Sequence, residues 1–248
     1  MKIGNVLLCC ALLALLVVPC RATAQDVTRD DFLGTLNPDV PWIWTVTGND
    51  PTDTEDPTHY AFSDNSLDIM AQAGSLYGSN NNAHNILNLV ITSQPDNWYV
   101  ETAVRTDWSM ASVDWYVHAG LVFFIDADNY FNYYNNRNAD PMHRPAVQVS
   151  STFEQLQQPN YGGISSGDWD PTTAYVKLRV EGTPSQVTFK FDRDGTGFQV
   201  AGTLSSGPSF DFMSSMVGKQ VGLETDTGGG HNDSPFSFNY FETNLGVQ

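Results

Sequence analysis

Cysteine disappears from this sequence after Cys20, and the other two, Cys9 and Cys10, lie earlier still. A chain cut beyond that point has no thiol, which excludes disulfides, thiolate metal ligands and a cysteine nucleophile. Basic residues are also scarce: 11 Lys and Arg stand against 28 Asp and Glu. Lys2 and Arg21 belong to the first segment, so residues 25–248 carry 9 basic and 28 acidic residues, net −19. That balance argues against nucleic acid and anionic lipid as partners, and disfavours polyanionic glycans. No long stretch after the first segment repeats apolar residues at helical spacing. His59, His84, His118, His143 and His231 show no zinc-site spacing. The serines, though abundant, form no nucleophile elbow.

What is present begins with a leader. Lys2 precedes the apolar run "VLLCCALLALLVVP", and "RATAQ" follows. This reads as a signal peptide over residues 1–24 with cleavage after Ala24, leaving one domain over 25–248. The run is shorter than the ~20 residues a spanning helix needs, so the mature chain is expected to have no transmembrane segment. Lipid attachment at Cys20 is the alternative, and Pro19 immediately before it fits poorly. The expected location is secreted, extracellular or periplasmic. A secreted domain without disulfides relies on its core, and about 220 residues suffice for one.

Short runs rich in Val, Ile, Phe, Tyr and Thr, bounded by Gly, Asn, Asp and Pro, fill the rest. Eleven read as strands, from "SLDIMAQ" and "NILNLVIT" to "QVGLETD" and "FSFNYFET". The predicted fold is all-β: a jelly roll of two packed antiparallel sheets with almost no helix. The first and last segments are expected to meet, burying Phe32, Phe238 and Phe241 together.

Four stretches carry a likeness. "DDFLGTLNPDVPWIWT" has an acid-Phe pair before a Trp-containing strand. "WYVETAVRTDW" is followed by "HAGLVFFIDADNYFNYY". "YVKLRVEGTPSQVTFKFDRDGTGFQVAGTL" holds a Leu-Arg strand and an Asp-Gly hairpin, and "VGLETDTGGGHNDSPFSFNYFET" closes the chain. In this order they resemble the concanavalin-A-like C-terminal domain of family 43 β-xylosidases and its stand-alone relatives of unknown function. The resemblance implies a concanavalin-A-like β-sandwich. It implies activity far less, because the five-bladed catalytic domain of those enzymes has no counterpart in this sequence. His118 stands where the family usually has glutamine, and Asn239 where it usually has aspartate.

The hairpin "VHAGLVFFIDADNYFNYYNNR" is the most informative stretch. Read as a four-residue loop "DADN" with Ile125 facing Tyr130, it sets Val122 opposite Tyr133, Gly120 opposite Asn135 and His118 opposite Arg137. Ala119, Leu121 and Phe123 then face the core. His118, Tyr133, Asn135 and Arg137 face outward, beside Tyr99, Glu101 and Arg105 of the preceding strand. Such a patch offers the flat aromatic faces, amides, carboxylates and guanidinia that sugar hydroxyls and C–H surfaces require. The bland alternative is a solvated face with charge pairs such as Glu101 with Arg137.

The leading expectation is a secreted, non-catalytic carbohydrate-binding protein that takes a neutral oligo- or polysaccharide. A glycoside hydrolase of the same fold is the alternative, with Glu101 as candidate catalytic acid and Asp107, Asp114 or Glu154 as partner. A structural or adhesion module is the third. Calcium is expected, if anywhere, at Asp30, Asp31 and Asn239, where the chain ends meet. "DRDG" reads as a hairpin turn rather than a calcium loop. "NDSP" from Asn232 is formally a glycosylation sequon.

Overall fold

The computed structural model describes residues 26–45, 55–63, 65–72, 74–78, 83–106, 117–138, 146–156, 158–166, 174–227 and 235–248. Residues 1–25, Asp107, Asp114, His143, His231 and the Asn232 sequon lie outside them.

The described residues form two antiparallel sheets, as the strand pattern predicts. The first contains β1 (Thr28–Asp30), β3 (Tyr60–Ser63), β4 (Ser66–Met70), β6 (Trp98–Thr106), β11 (Val176–Thr183), β12 (Gln186–Asp192), β13 (Gln199–Leu204) and β15 (Pro235–Thr243). Its order is β13-β12-β11-β6-β15-β4-β3, with β1 paired to β15. The second contains β2 (Ile43–Thr45), β5 (Ile86–Ser93), β7 (Val117–Asp126), β8 (Asn129–Asn138), β9 (Ala146–Gln155), β10 (Gln158–Ser165), β14 (Gln220–Asp226) and β16 (Gly246–Val247). Its order is β10-β9-β8-β7-β14-β5-β16, with β2 paired to β5. All eleven expected strands are present. The other five are mostly short edge pieces, in which alternation has too few residues to register. One seven-residue helix, α1 (Pro208–Ser214), joins β13 to β14. Phe212 and Met213 bury one side of it, and Lys219 Nζ caps it by donating to the carbonyl oxygens of Phe212, at 2.5 Å, and Ser215.

The inner faces share one core. Leu121, Phe123, Phe131 and Tyr133 of the second sheet meet Val100, Val104, Leu178 and Phe189 of the first. Phe189 stacks on Phe131 at 5.2 Å and takes Tyr133 edge-on at 5.2 Å. The chain ends meet as expected. Asp30 pairs with Phe241 across β1 and β15, and Phe32, Phe238 and Phe241 are all fully buried. The "DRDG" stretch is a turn between β12 and β13, closed by Gly195 N–H on Asp192 Oδ1 at 2.8 Å.

The hairpin register differs from the one expected. The turn is Ala127–Asp128, Asp126 pairs with Asn129, and an irregularity before Asp126 puts Phe124, not Ile125, opposite Tyr130. Every later pair moves by one: Val122 faces Asn132, Gly120 faces Tyr134 and His118 faces Asn136. A slip of one residue exchanges the two faces of a strand. Tyr133 and Asn135 therefore lie inward beside Leu121 and Ala119, and Tyr130, Asn132, Tyr134 and Asn136 take the outer side. Leu121 and Phe123 are core, as expected.

This placement makes Tyr133 a stability residue. Its ring is 0% exposed and its hydroxyl has no hydrogen-bond partner. Tyr133→Ala should cost ~3–5 kcal/mol through the cavity it leaves. Tyr133→Phe should be neutral or stabilising by up to about 1 kcal/mol, because it removes an unsatisfied buried polar group. Chemical denaturation of the two variants reads both.

Candidate functional site

The expected patch is divided. β6 and β7 belong to different sheets, so Tyr99, Glu101 and Arg105 lie on the outside of the first sheet and His118 on the outside of the second. Tyr133 and Asn135 are core-facing and 0% and 2% exposed. Arg137 pairs with Val117 along the backbone, and its side chain lies outside the described residues. Consecutive strands in a sandwich can pair or cross between sheets, and alternation alone does not distinguish the two.

The first sheet's outer face is a ladder of charges and aromatic rings. Arg179 of β11 sits opposite Glu101 and donates to its Oε2 at 2.7 Å. It also donates to Glu181 Oε1 at 2.7 Å and lies over the Tyr99 ring at 4.1 Å. Lys190 donates to the other Glu181 oxygen at 2.5 Å. The Tyr99 hydroxyl donates to Glu242 at 2.6 Å, and Arg29 donates to the same carboxylate at 2.5 Å. Tyr240 donates to Glu101 Oε1, and Arg105 lies over Tyr175 at 4.7 Å. Glu101 thus pairs with Arg179 rather than Arg137. Burial opposes ionisation of Glu181 and Glu242, but hydrogen bonds from Lys190 and Arg179, and from Tyr99 and Arg29, outweigh it. Both carboxyls are held below their ordinary range.

At the start of β6 this face opens into a cleft of about 270 Å³, lined by Asn97, Trp98, Tyr99, Arg179, Glu181 and Gly182 among others. Asn244 fixes its edge. It accepts the Tyr99 N–H at 2.7 Å and donates to the Asn97 carbonyl at 3.0 Å. Of these residues only Tyr99 was singled out from sequence. Arg179 and Glu181 lie about 80 residues further along the chain and reach the cleft through pairing of β6 with β11.

The second sheet's outer face carries a buried polar cluster. The His118 ring stacks on Tyr134 at 4.0 Å, and its Nε2 is 3.5 Å from Glu224 Oε1. Asp226 lies opposite His118 and accepts the Ser75 hydroxyl at 2.9 Å. Gly78 N–H and the Tyr130 hydroxyl donate to Glu154 at 2.8 and 3.2 Å. The segment around residues 75–78 thus crosses this face, with Leu76 packed on Val122, Phe124 and Tyr130. Glu224 is 1% exposed. Burial pushes Glu224 above its ordinary value, as it does Glu154. Glu154 is therefore on the opposite side of the sandwich from Glu101, and the two cannot flank one sugar.

The residues of the cation site expected at the chain ends are engaged by protein groups. Asp30 accepts three N–H groups, from Phe32 at 2.9 Å, Asn37 at 2.9 Å and the Trp42 indole at 2.8 Å. Asp31 pairs with Arg29 at 2.6 Å, and Asn239 donates to the Asn65 carbonyl. Among the described residues no three acidic or histidine side chains gather into a metal site. Asp30 instead holds the loop that seats Trp42 against Phe32 and Phe241.

No family model matches this sequence, and no curated protein matches it. Solved structures share its fold. The GH43 protein BlXynB from Bacillus licheniformis is similar with a TM-score of 0.62 and 15% identity, over 86% of this chain and 38% of that one. GH43B of the Bacteroides ovatus xyloglucan PUL has a TM-score of 0.61 and 18% identity, over 92% and 41%. The CBM2 module of the evolved Dit of Lactobacillus casei BL23 phage J-1 has a TM-score of 0.60 and 10% identity, over 89% and 96%. The chain spans about two-fifths of the GH43 chains and nearly all of the phage module. The fold is the concanavalin-A-like β-sandwich that the sequence predicted. Among the described residues no helix is long and apolar enough to cross a membrane.

Two outcomes follow. Asp30→Ala should cost about 3 kcal/mol, since several hydrogen bonds to a charged acceptor are lost. A chelator should leave the wild-type melting curve unchanged. A melting temperature that falls with chelator and returns with calcium would restore the cation site. The second outcome concerns pH. Folded Glu224 and Glu154 bind protons more tightly than the unfolded chain, so stability should fall as pH rises above their ordinary value of 4.5. Glu181 and Glu242 act oppositely, losing their contribution as pH falls below 4.5. Glu224→Gln should flatten the alkaline limb of a melting-temperature profile and leave the acid limb in place.

Proposed function

We propose that this chain is a secreted, non-catalytic carbohydrate-binding β-sandwich whose site is the cleft beside Tyr99. The observation that carries this reading is the combination held there: the Tyr99 ring, the Arg179 guanidinium and the Glu181 carboxylate in an open depression. Sugars are bound by such aromatic surfaces and planar polar groups. The resemblance to GH43 chains and to a module named CBM2 supports the carbohydrate theme. The leader pattern supports secretion.

Hydrolysis is disfavoured on the same face. Cleavage needs one carboxylic acid carrying a proton and a second carboxylate across the glycosidic bond. Glu181 and Glu242 are held ionised by cations and a phenol. Glu101 is clamped between Arg179 and Tyr240. The carboxyls whose burial favours the protonated form, Glu154 and Glu224, lie on the far side of the molecule. Among the described residues, the first sheet's face thus offers ligands for hydroxyls, and its carboxylates are engaged by cations or phenols.

A glycan array and a reducing-sugar assay on one preparation separate the readings. Binding of neutral oligosaccharides without release is expected. Tyr99→Ala should weaken it by about tenfold or more, the equivalent of ~1.4 kcal/mol. Glu101→Gln should leave it largely intact. Release of reducing ends that Glu101→Gln abolishes would make the chain a hydrolase. Silence in both assays would leave a structural or adhesion module.

A further inference from the structure

The outer face of the first sheet carries a second exposed ring close to the cleft. The sheet order places β11 and β12 between β6 and the edge strand β13. One cross-strand row runs over them through Glu101, Arg179, Lys190 and Val200. Phe198 immediately precedes β13 and stands two residues from Val200, so alternation puts both on this face. Phe198 is 38% exposed and Val200 59%, beside the cations of Arg179 and Lys190. Adjoining exposed apolar side chains rimmed by polar groups mark a contact surface. The Arg179 guanidinium lies 4.1 Å from the centre of the Tyr99 ring and 5.8 Å from that of Phe198. Tyr99 reaches it from the β6 side of β11, and Phe198 from the β13 side. The two ring centres are therefore no more than about 9.9 Å apart. Arg179 donates through Nε to Glu181 and through Nη1 to Glu101. A guanidinium carries five N–H donors, and among the described residues the Nη2 pair donates to no partner.

Taking the cleft as the sugar site proposed above, we infer that Phe198 is a second stacking residue of that site, and that the ligand is a neutral oligosaccharide of two or more rings laid across β11 from Tyr99 to Phe198. Three features select this class. A single pyranose cannot lie on two aromatic rings that a guanidinium separates, whereas two linked rings can. The Nη2 donors sit between the stacking surfaces, where hydroxyls of either sugar accept them. Glu101 and Glu181 offset the charge of Arg179, which suits neutral hydroxyls and gives an anionic sugar no net attraction.

The test is calorimetry with cello-, xylo- and manno-oligosaccharides, from the monosaccharide to the hexasaccharide, on wild type, Phe198→Ala, Phe198→Trp and Tyr99→Ala. In the series that binds, wild-type affinity should rise by about tenfold or more beyond the monosaccharide, the scale of one well-placed aromatic contact. Phe198→Ala should remove that rise and leave the monosaccharide unchanged, whereas Phe198→Trp keeps a ring there and should retain it. Tyr99→Ala should weaken every length, and a thermal melt confirms that each variant is folded. A wild type that binds all lengths equally, a rise that survives in Phe198→Ala, or a loss in Phe198→Ala by the same factor at every length overturns the inference. If sugars then still bind in a Tyr99-dependent way, only the inference falls and the carbohydrate reading stands. If no sugar of any length binds, both fall.

Discussion

The irregularity between Phe124 and Asp126 decides which half of an aromatic hairpin becomes core. β7 and β8 carry apolar or aromatic residues on both faces, so hydrophobicity does not choose between the two registers. The bulge does. It aligns Tyr133 with Leu121 and Tyr134 with Gly120, so Phe131 and Tyr133 enter the inter-sheet space and meet Phe189. Burial of large aromatic area at this point ties the two sheets together. The opposite face then carries Tyr130, Asn132, Tyr134 and Asn136, which would otherwise have been in the core.

The sandwich also sorts its carboxylates by environment. On the first sheet, Glu101, Glu181 and Glu242 each meet a cation or a phenol donated from a neighbouring strand. Much of the small basic complement, Arg29, Arg179 and Lys190, is spent there. On the second sheet, Glu154 lies beneath the segment around residues 75–78, Glu224 is buried nearby, and burial favours the protonated form of both. One face is thus an ionised surface suited to hydroxyl ligands, and the other a buried region whose acids resist charging.

The chain ends are joined by hydrogen bonds and aromatic contacts. Asp30 turns the first loop by accepting three N–H groups, and the loop delivers Trp42 to Phe241 of the closing strand. An acid at a terminus junction resembles a cation ligand when only its side chain is known. Its hydrogen-bond donors show that Asp30 organises the loop.

The sequence by itself determined the strand content, the sheet-on-sheet class, the junction of Phe32 with the closing strand, and the inward parity of Ala119, Leu121 and Phe123. These follow from local alternation, which each strand carries in its own residues. Tyr99, Glu101 and Arg105 were correctly placed on one outer face for the same reason. Tertiary structure alone decided that β6 and β7 lie in different sheets, that Arg179 rather than Arg137 meets Glu101, and that Tyr133 belongs to the core. Sheet membership and register depend on pairings between residues tens of positions apart and on one bulge of a single residue. A period-two pattern is unchanged when a strand crosses to the other sheet, and a shift of one residue inverts it.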